Sequence, residues 1–207
     1  MNILAIGAHP DDVELGCGGT ISKHLLIGDV VYVLILTNGE KGNHDLNKQE
    51  CFNSLEKLGI NRSNVLFGNF SDGFVVSDQK LIDFMEKKIN ELNIERVYCH
   101  YPYDRHQDHR NSSTAASSAA RKIPTLLLYQ GPSTSVDFEP HYFIDISPEM
   151  LSKKINALSC YESQTKKNII NLEWVRSLAV INGMRVYTKY AEAFALNHMV
   201  EGGGKNV

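Results

Sequence analysis

Cysteine is scarce and scattered in this chain of 207 residues: Cys17, Cys51, Cys99 and Cys160 form no CxxC pair. Neither a disulfide framework nor a thiolate zinc knuckle is indicated, and a reducing cytoplasm is the expected setting. No apolar stretch approaches the roughly 20 residues a spanning helix needs. Met1 runs straight into a strand-like segment with no basic leader, so neither a membrane span nor export is expected. An excess of charge is missing too: 21 basic and 24 acidic residues leave a net −3. That gives no basic field for nucleic acid and no solvating acidic tail, which leaves a small molecule as the expected partner. No internal repeat is visible. The chain is long enough to bury about 70% of its unfolded surface.

Strand-like and helix-like segments alternate. Ile3 to Ile6 reads as a strand, a Gly-rich turn follows, then a helix from about Gly18 to Ile27 and a strand VVYVLILT at 30–37. The second strand is almost continuously apolar, as expected of a parallel strand covered on both faces. Strands at 64–68, 95–100 and 126–130 continue the pattern, with helices ending near Gly59, spanning 77–92 and covering the small-residue run at 112–122. Helical patterning returns at 149–161 and 172–184. The expectation is an α/β fold, with residues 1–200 as one domain and 201–207 as a flexible Gly-rich tail.

AIGAHPDDVELGCGGTI, residues 5–21, places a histidine and two adjacent carboxylates directly after the first strand. Neighbouring like charges repel unless something positive holds one of them, so a metal ion or a bound basic group is implied. His9 and Asp12 sit three apart there, and His106 and His109 sit three apart after the strand at 95–100. Both places are carboxyl ends of strands, where open α/β sheets keep their ligand sites. Two histidines and one carboxylate leave positions open for water, the arrangement of a catalytic metal, with zinc expected. Taken singly, a histidine after a strand is more often a hydrogen-bonded surface residue, and an Asp-Asp pair more often a helix cap. Their joint occurrence at two strand ends favours the metal. If Asp12 ligates the ion, Asp11 is left to take a proton from metal-bound water. Asp104 and His106 lie beside the presumed ligand His109, the first suited to orienting a histidine, the second to protonating a leaving amine. A dinucleotide site is disfavoured, because GCGG is not GxGxxG and HPDD would set two negative charges against a pyrophosphate.

AHPDDVELGCGGTI, TNGEKGN after the second strand and YPYDRHQDHRN resemble, in order and spacing, the three signature stretches of the LmbE-like family of zinc-dependent de-N-acetylases. That family is related to the de-N-acetylase of N-acetylglucosaminyl-phosphatidylinositol. Weaker similarity in SLEKLG, in the SQ pair at 163–164 and in YAEAF at 190–194 extends along most of the chain. The resemblance implies a Rossmann-like three-layer fold, a mostly parallel sheet flanked by helices with the metal site at the carboxyl ends of its strands. It implies a catalytic zinc held by His9, Asp12 and His109, with Fe2+ as the second candidate. Asp11 would be the general base, His106 a second catalytic histidine and Asp104 a support. The implied reaction removes the N-acetyl group from an N-acetylglucosamine-type sugar or conjugate, with metal-bound water as nucleophile, and yields acetate and a free amino sugar. Association into a homo-oligomer is also implied, without a number. One position departs: counting back from Glu50, Asn47 stands where the family often carries an arginine that holds substrate. Lys41 and Lys48 are the candidates to replace that charge, and a different or less acidic aglycone is expected. Tyr190, Glu192 and His141 are further candidates to reach the site. A metal-dependent sugar-binding module and a non-haem iron enzyme stand as alternatives. Retention of Asp11 and His106, which binding does not need, argues against the first, and the α/β alternation against the second.

Overall fold

The structure is a computed structural model that describes residues 1–39, 44–165 and 169–200; Lys41 and the tail expected from residue 201 lie outside the described residues. The chain runs β1 (Asn2–Gly7), α1 (Asp12–Leu26), β2 (Val30–Thr37), α2 (His44–Leu58), β3 (Val65–Phe70), α3 (Gln79–Glu91), β4 (Arg96–His100), α4 (Gln107–Ala119) and β5 (Thr125–Tyr129). Then come β6 (Tyr142–Asp145), α5 (Pro148–Leu158), α6 (Glu162–Thr165), α7 (Leu172–Arg185) and β7 (Ala191–Met199). The seven strands form one sheet in the order β3-β2-β1-β4-β5-β7-β6. The first five pair in parallel, and β7 lies antiparallel between β5 and β6.

Side chains of a strand alternate between faces, so a strand covered on both sides must be apolar at every position. Ile3, Ala5, Val31, Val33 and Ile35 face one core, which holds Val13, Ile21, Cys51, Leu55, Leu158 and Val175. Leu4, Ile6, Leu34 and Leu36 face the other, with Leu81, Met85 and Ile89 of α3 and Ala115, Ala116 and Ala119 of α4. The sheet is therefore the middle of three layers. Residues four apart on α3 present one apolar stripe, and the Asp78 carboxylate caps its first turn by accepting the Leu81 N–H at 2.9 Å.

β1 and β4 are neighbours, but α1 packs on one face of the sheet and α4 on the other. Their connecting loops diverge and open a crevice at the carboxyl ends of the two strands, the switch point of the topology. Two expectations are corrected there. The first helix begins at Asp12, not near Gly18, so GCGG lies within it, and the helix breaks at Cys17 (φ −144°, ψ 22°). The small-residue helix begins at Gln107 rather than residue 112, because His106 caps it, which carries Asp108 and His109 into its first turn. β6 and β7 were not expected as strands; β6 is only four residues long and partly exposed.

Candidate active site

The chain leaves β1 through Ala8, whose carbonyl accepts the Thr37 N–H at 2.9 Å and whose own N–H donates to His100 Nε2 at 3.1 Å. Asp11 follows with φ 94° and ψ −26°, a left-handed conformation that is costly for a residue with a Cβ and persists only when its surroundings hold it. Asp12 then opens α1, and its Oδ2 accepts the His9 N–H at 2.7 Å. On the facing loop, His106 Nδ1 accepts the Asp108 N–H at 3.2 Å, so the neutral ring carries its proton on Nε2. A cavity of about 560 Å³ opens here, lined by His9, Asp11, Asp12, His106 and His109 at one end. Pro10, Leu15, Leu46, Asn47, Tyr161 and Ile169 contribute to its walls.

Four donor atoms of three side chains converge in it. His9 Nδ1 lies 3.2 Å from His109 Nε2 and 3.4 Å from Asp12 Oδ2, and His109 Nε2 lies 3.3 Å from Asp12 Oδ1. A tetrahedral ion bonded at about 2.0–2.1 Å separates its ligand atoms by about 3.3 Å. The residues therefore fit a divalent ion: two nitrogens and the oxygens of one carboxylate lie at ligand spacing beside the cavity. The remaining ring nitrogens are engaged. His9 Nε2 donates to Asp108 Oδ2 at 3.1 Å and lies 3.2 Å from Asp72 Oδ1, and His109 Nδ1 lies 3.2 Å from both Asp104 Oδ1 and Ser133 Oγ. An ionised carboxylate can only accept, so each carboxylate bond holds a proton on the outer nitrogen and makes the inner nitrogen the one a metal would take.

Among the described residues three other groupings come close to ligand spacing: His9 with His106 and His109, His100 with Asp12 and His109, and His9 with Asp72 and Asp108. His100 Nε2 already accepts the Ala8 N–H, and its ring is stacked on His109 with centroids 4.0 Å apart, so it props that ring from behind. Asp108 is committed to backbone: its oxygens accept the N–H of Gly73 at 2.6 Å and of Val75 at 3.2 Å.

The electrostatics call for a cation. Burial works against charge on His9, but Asp108, Asp12 and Asp72 outweigh it and raise its pKa to about 12. His109 is likewise raised to about 9 by Asp12 and Asp104 against its burial. Burial pushes the Asp12 carboxyl up, yet the His109 and His100 rings prevail and hold it well below the ordinary range. Asp11 goes the other way: burial, then the charges of Asp12 and Glu14, push it well above the ordinary range. Burial and the neighbouring His9 and His109 lower His106, which keeps it neutral.

The structure thus brings His9, Asp11, Asp12, His106 and His109 to one cavity and sets Asp104 behind His109. Glu192 and Tyr190 do not line it, and His141 is exposed, with its Nδ1 accepting the Leu196 N–H. Lys48 also misses the cavity, since its Nζ lies 5.1 Å from the centre of the Phe67 ring. The Asn47 amide lines the wall and donates to the Gly39 carbonyl. Asp72, Asp108, His100 and Ser133 were not assigned roles from sequence. Asp108 lay inside YPYDRHQDHRN, and its place beside two histidines was its signal; Asp72, in a turn after β3, had none.

Comparison with known proteins bears on the same residues. The family model of GlcNAc-PI de-N-acetylase matches residues 4–120, which include both histidine loops. The chain is 36% identical to an Escherichia coli (strain K12) protein named uncharacterized deacetylase YaiS, over 78% of this chain and 90% of that one. It is 30% identical to diacetylchitobiose deacetylase of Thermococcus kodakarensis, over 92% and 80% respectively. Among solved structures, the conserved protein TT1542 from Thermus thermophilus superposes with a TM-score of 0.84 at 25% identity, covering 99% of this chain and 98% of that one.

Proposed function

Since the chain belongs to the GlcNAc-PI de-N-acetylase family, we propose that it is a metal-dependent hydrolase that removes the acetyl group from an N-acetylglucosamine-type sugar or conjugate, releasing acetate and a free amino sugar. The observation that carries this reading is the convergence of His9 Nδ1 and His109 Nε2, 3.2 Å apart, on the two oxygens of Asp12, Oδ2 at 3.4 Å from the first and Oδ1 at 3.3 Å from the second, beside a cavity that Asp11 also lines. His9, Asp12 and His109 would hold the ion, zinc or iron(II), since two nitrogens and an oxygen suit both. When bound, a divalent ion polarises an amide carbonyl and brings the pKa of water to about 7.

The chain's own groups do the rest. Asp11 lines the cavity, accepts the proton of the attacking water and passes it to the amide nitrogen as the C–N bond breaks. His106, neutral with its proton on Nε2, donates a hydrogen bond to the carbonyl oxygen as negative charge develops there. A neutral ring suits this part; the part expected from sequence, protonating the leaving amine, would need the ring charged first. Asp104 and Asp108 fix the tautomers of His109 and His9. The cavity at about 560 Å³ accepts a small sugar conjugate. The four cysteines are free thiols, which suits a reducing cytoplasm, and no helix of the described residues is long and apolar enough to cross a membrane.

Acetate release from N-acetylglucosamine and diacetylchitobiose, with and without added zinc, tests the activity. Asp11→Asn is expected to keep one equivalent of metal and lose about 10²–10⁴-fold in turnover, whereas Asp12→Ala is expected to lose the metal itself. Undiminished turnover in Asp11→Asn would sink the base assignment.

A further inference from the structure

The break in α1 divides it into two unequal parts. The first, from Asp12 to Gly16, carries Asp12 and is little more than one turn, too short to be helical on its own. At a break, the last carbonyls of one segment and the first N–H groups of the next lose their helical partners. A buried ion pair supplies both. Lys154 Nζ donates to the Leu15 carbonyl at 2.8 Å and to Glu192 Oε1 at 2.6 Å. The two Glu192 oxygens accept the N–H groups of Gly19 at 3.0 Å and Thr20 at 2.6 Å. The signs match the segment ends: a cation meets the carbonyl end of the first part and an anion the amide end of the second.

Lys154 comes from α5 and Glu192 from β7, and both are about 95% buried, at 5% and 4% exposure. The glycines of GCGG make room for them. A Cβ at residue 19 would meet Ile146 and Glu192, and one at residue 18 would press on the Lys154 side chain. Neither member of the pair lines the cavity that holds His9, Asp11 and Asp12.

We propose that Lys154 and Glu192 are positioning residues, a buried ion-pair splint across the break in α1 that sets the orientation of the Asp11–Asp12 segment and through it the metal ligand. This rests on the reading of Asp12 as ligand and Asp11 as base. A pair that served only the core would behave differently. Buried ion pairs are often replaceable at little cost in stability when both charges go together, so a melting temperature cannot decide between the two roles.

The test uses Lys154→Met, Glu192→Gln and the double variant, with three readouts: zinc affinity by competition with a chelating dye, kcat and KM for acetate release from N-acetylglucosamine, and thermal unfolding. The expected result is a loss of about 10–100-fold in zinc affinity, the range for groups that orient a ligand. A fall in kcat with KM held within about twofold accompanies it, since the pair touches no substrate. Each single variant leaves an unpaired buried charge and is at risk of not folding; the double variant leaves none and carries the test alone if need be. A folded double variant with wild-type zinc affinity and kcat, beside an Asp12→Ala variant that has lost its metal, overturns this inference by itself. An Asp12→Ala variant that keeps its zinc overturns it together with the reading beneath it.

Discussion

Zinc added to the metal-free protein at neutral pH is expected to displace about two to three protons, two of them from the histidines proposed as ligands. The carboxylates around them outweigh burial and raise His9 to about 12 and His109 to about 9. At pH 7 both rings therefore carry a proton on each nitrogen, whereas ligation needs the lone pairs of His9 Nδ1 and His109 Nε2. Asp11, raised by burial and by Asp12, adds up to one more proton as the ion's field favours its charged form. Protonation competes with the metal, so affinity rises with pH. Below about pH 9 both rings must release a proton, and the apparent association constant climbs by about 100-fold per pH unit; between about 9 and 12 only His9 remains and the slope falls to about tenfold. Titration calorimetry of stripped protein in buffers of different ionisation enthalpy counts the protons directly. Release of fewer than one, or an affinity that stays flat between about pH 6 and 8, would refute the assignment of these two nitrogens.

Without metal, the same rings give the protein a pH-dependent stability of opposite sense. Their folded pKa values lie above the ordinary 6.5, so the contribution is complete below about pH 6.5 and is lost as pH rises through about 9 and then 12; calorimetric melting of stripped protein should drop between about pH 7 and 9.5, and a rise would contradict it. Asp108→Asn keeps the shape of the group but has one acceptor oxygen where two served three donors. It is expected to weaken zinc binding about 10–100-fold through His9 and to cost about 1–3 kcal/mol by leaving a buried donor such as the Val75 N–H unsatisfied; chelator competition and denaturant unfolding read the two separately. Gly16→Ala sets a Cβ into the Tyr129 ring, whose hydroxyl is tied to the Ile6 carbonyl at 2.7 Å and cannot swing away freely. Overpacking there should destabilise by about 1–3 kcal/mol, and urea unfolding with an unchanged midpoint would show that the site yields.

The parallel half of the sheet was legible because continuous apolar runs such as VVYVLILT can only be strands buried on both faces, and the two histidine loops were legible because strand ends are where such sheets keep ligands. The rest was hidden by distance along the chain. Asp72 joins the site only because β3 lies two strands from β1, and His100 only because β4 ends beside Ala8. Gly16 read as the end of a turn and Gly18 as the start of the helix. Here they are close-approach positions inside a broken helix, and the residues they admit, Tyr129, Lys154 and Glu192, lie more than a hundred residues away. Glu192 could be suspected of reaching the cavity from its company in YAEAF, but not of capping a break that nothing in GCGG announces.

Two adjacent aspartates differ in what the fold does to them. Asp12, in the first turn of α1, is drawn toward His109 and His100 and is held ionised; at Asp11, one residue earlier, burial and the charges of Asp12 and Glu14 outweigh the pull of His9 and His109. The difference is made in the backbone, where the left-handed turn at Asp11 (φ 94°) sits directly before the helical start at Asp12. Had both residues been helical, side chains one position apart would still diverge by about 100°, but the chain would not fold back to let Asp12 accept the His9 N–H. Carboxylates whose environments push their pKa values apart are those that divide a reaction between them. Strain at residue 11 is thus tied to function: it separates a carboxylate suited to hold a cation from one suited to carry a proton, and relaxing it by Asp11→Gly would be expected to ease the backbone while removing the proton carrier.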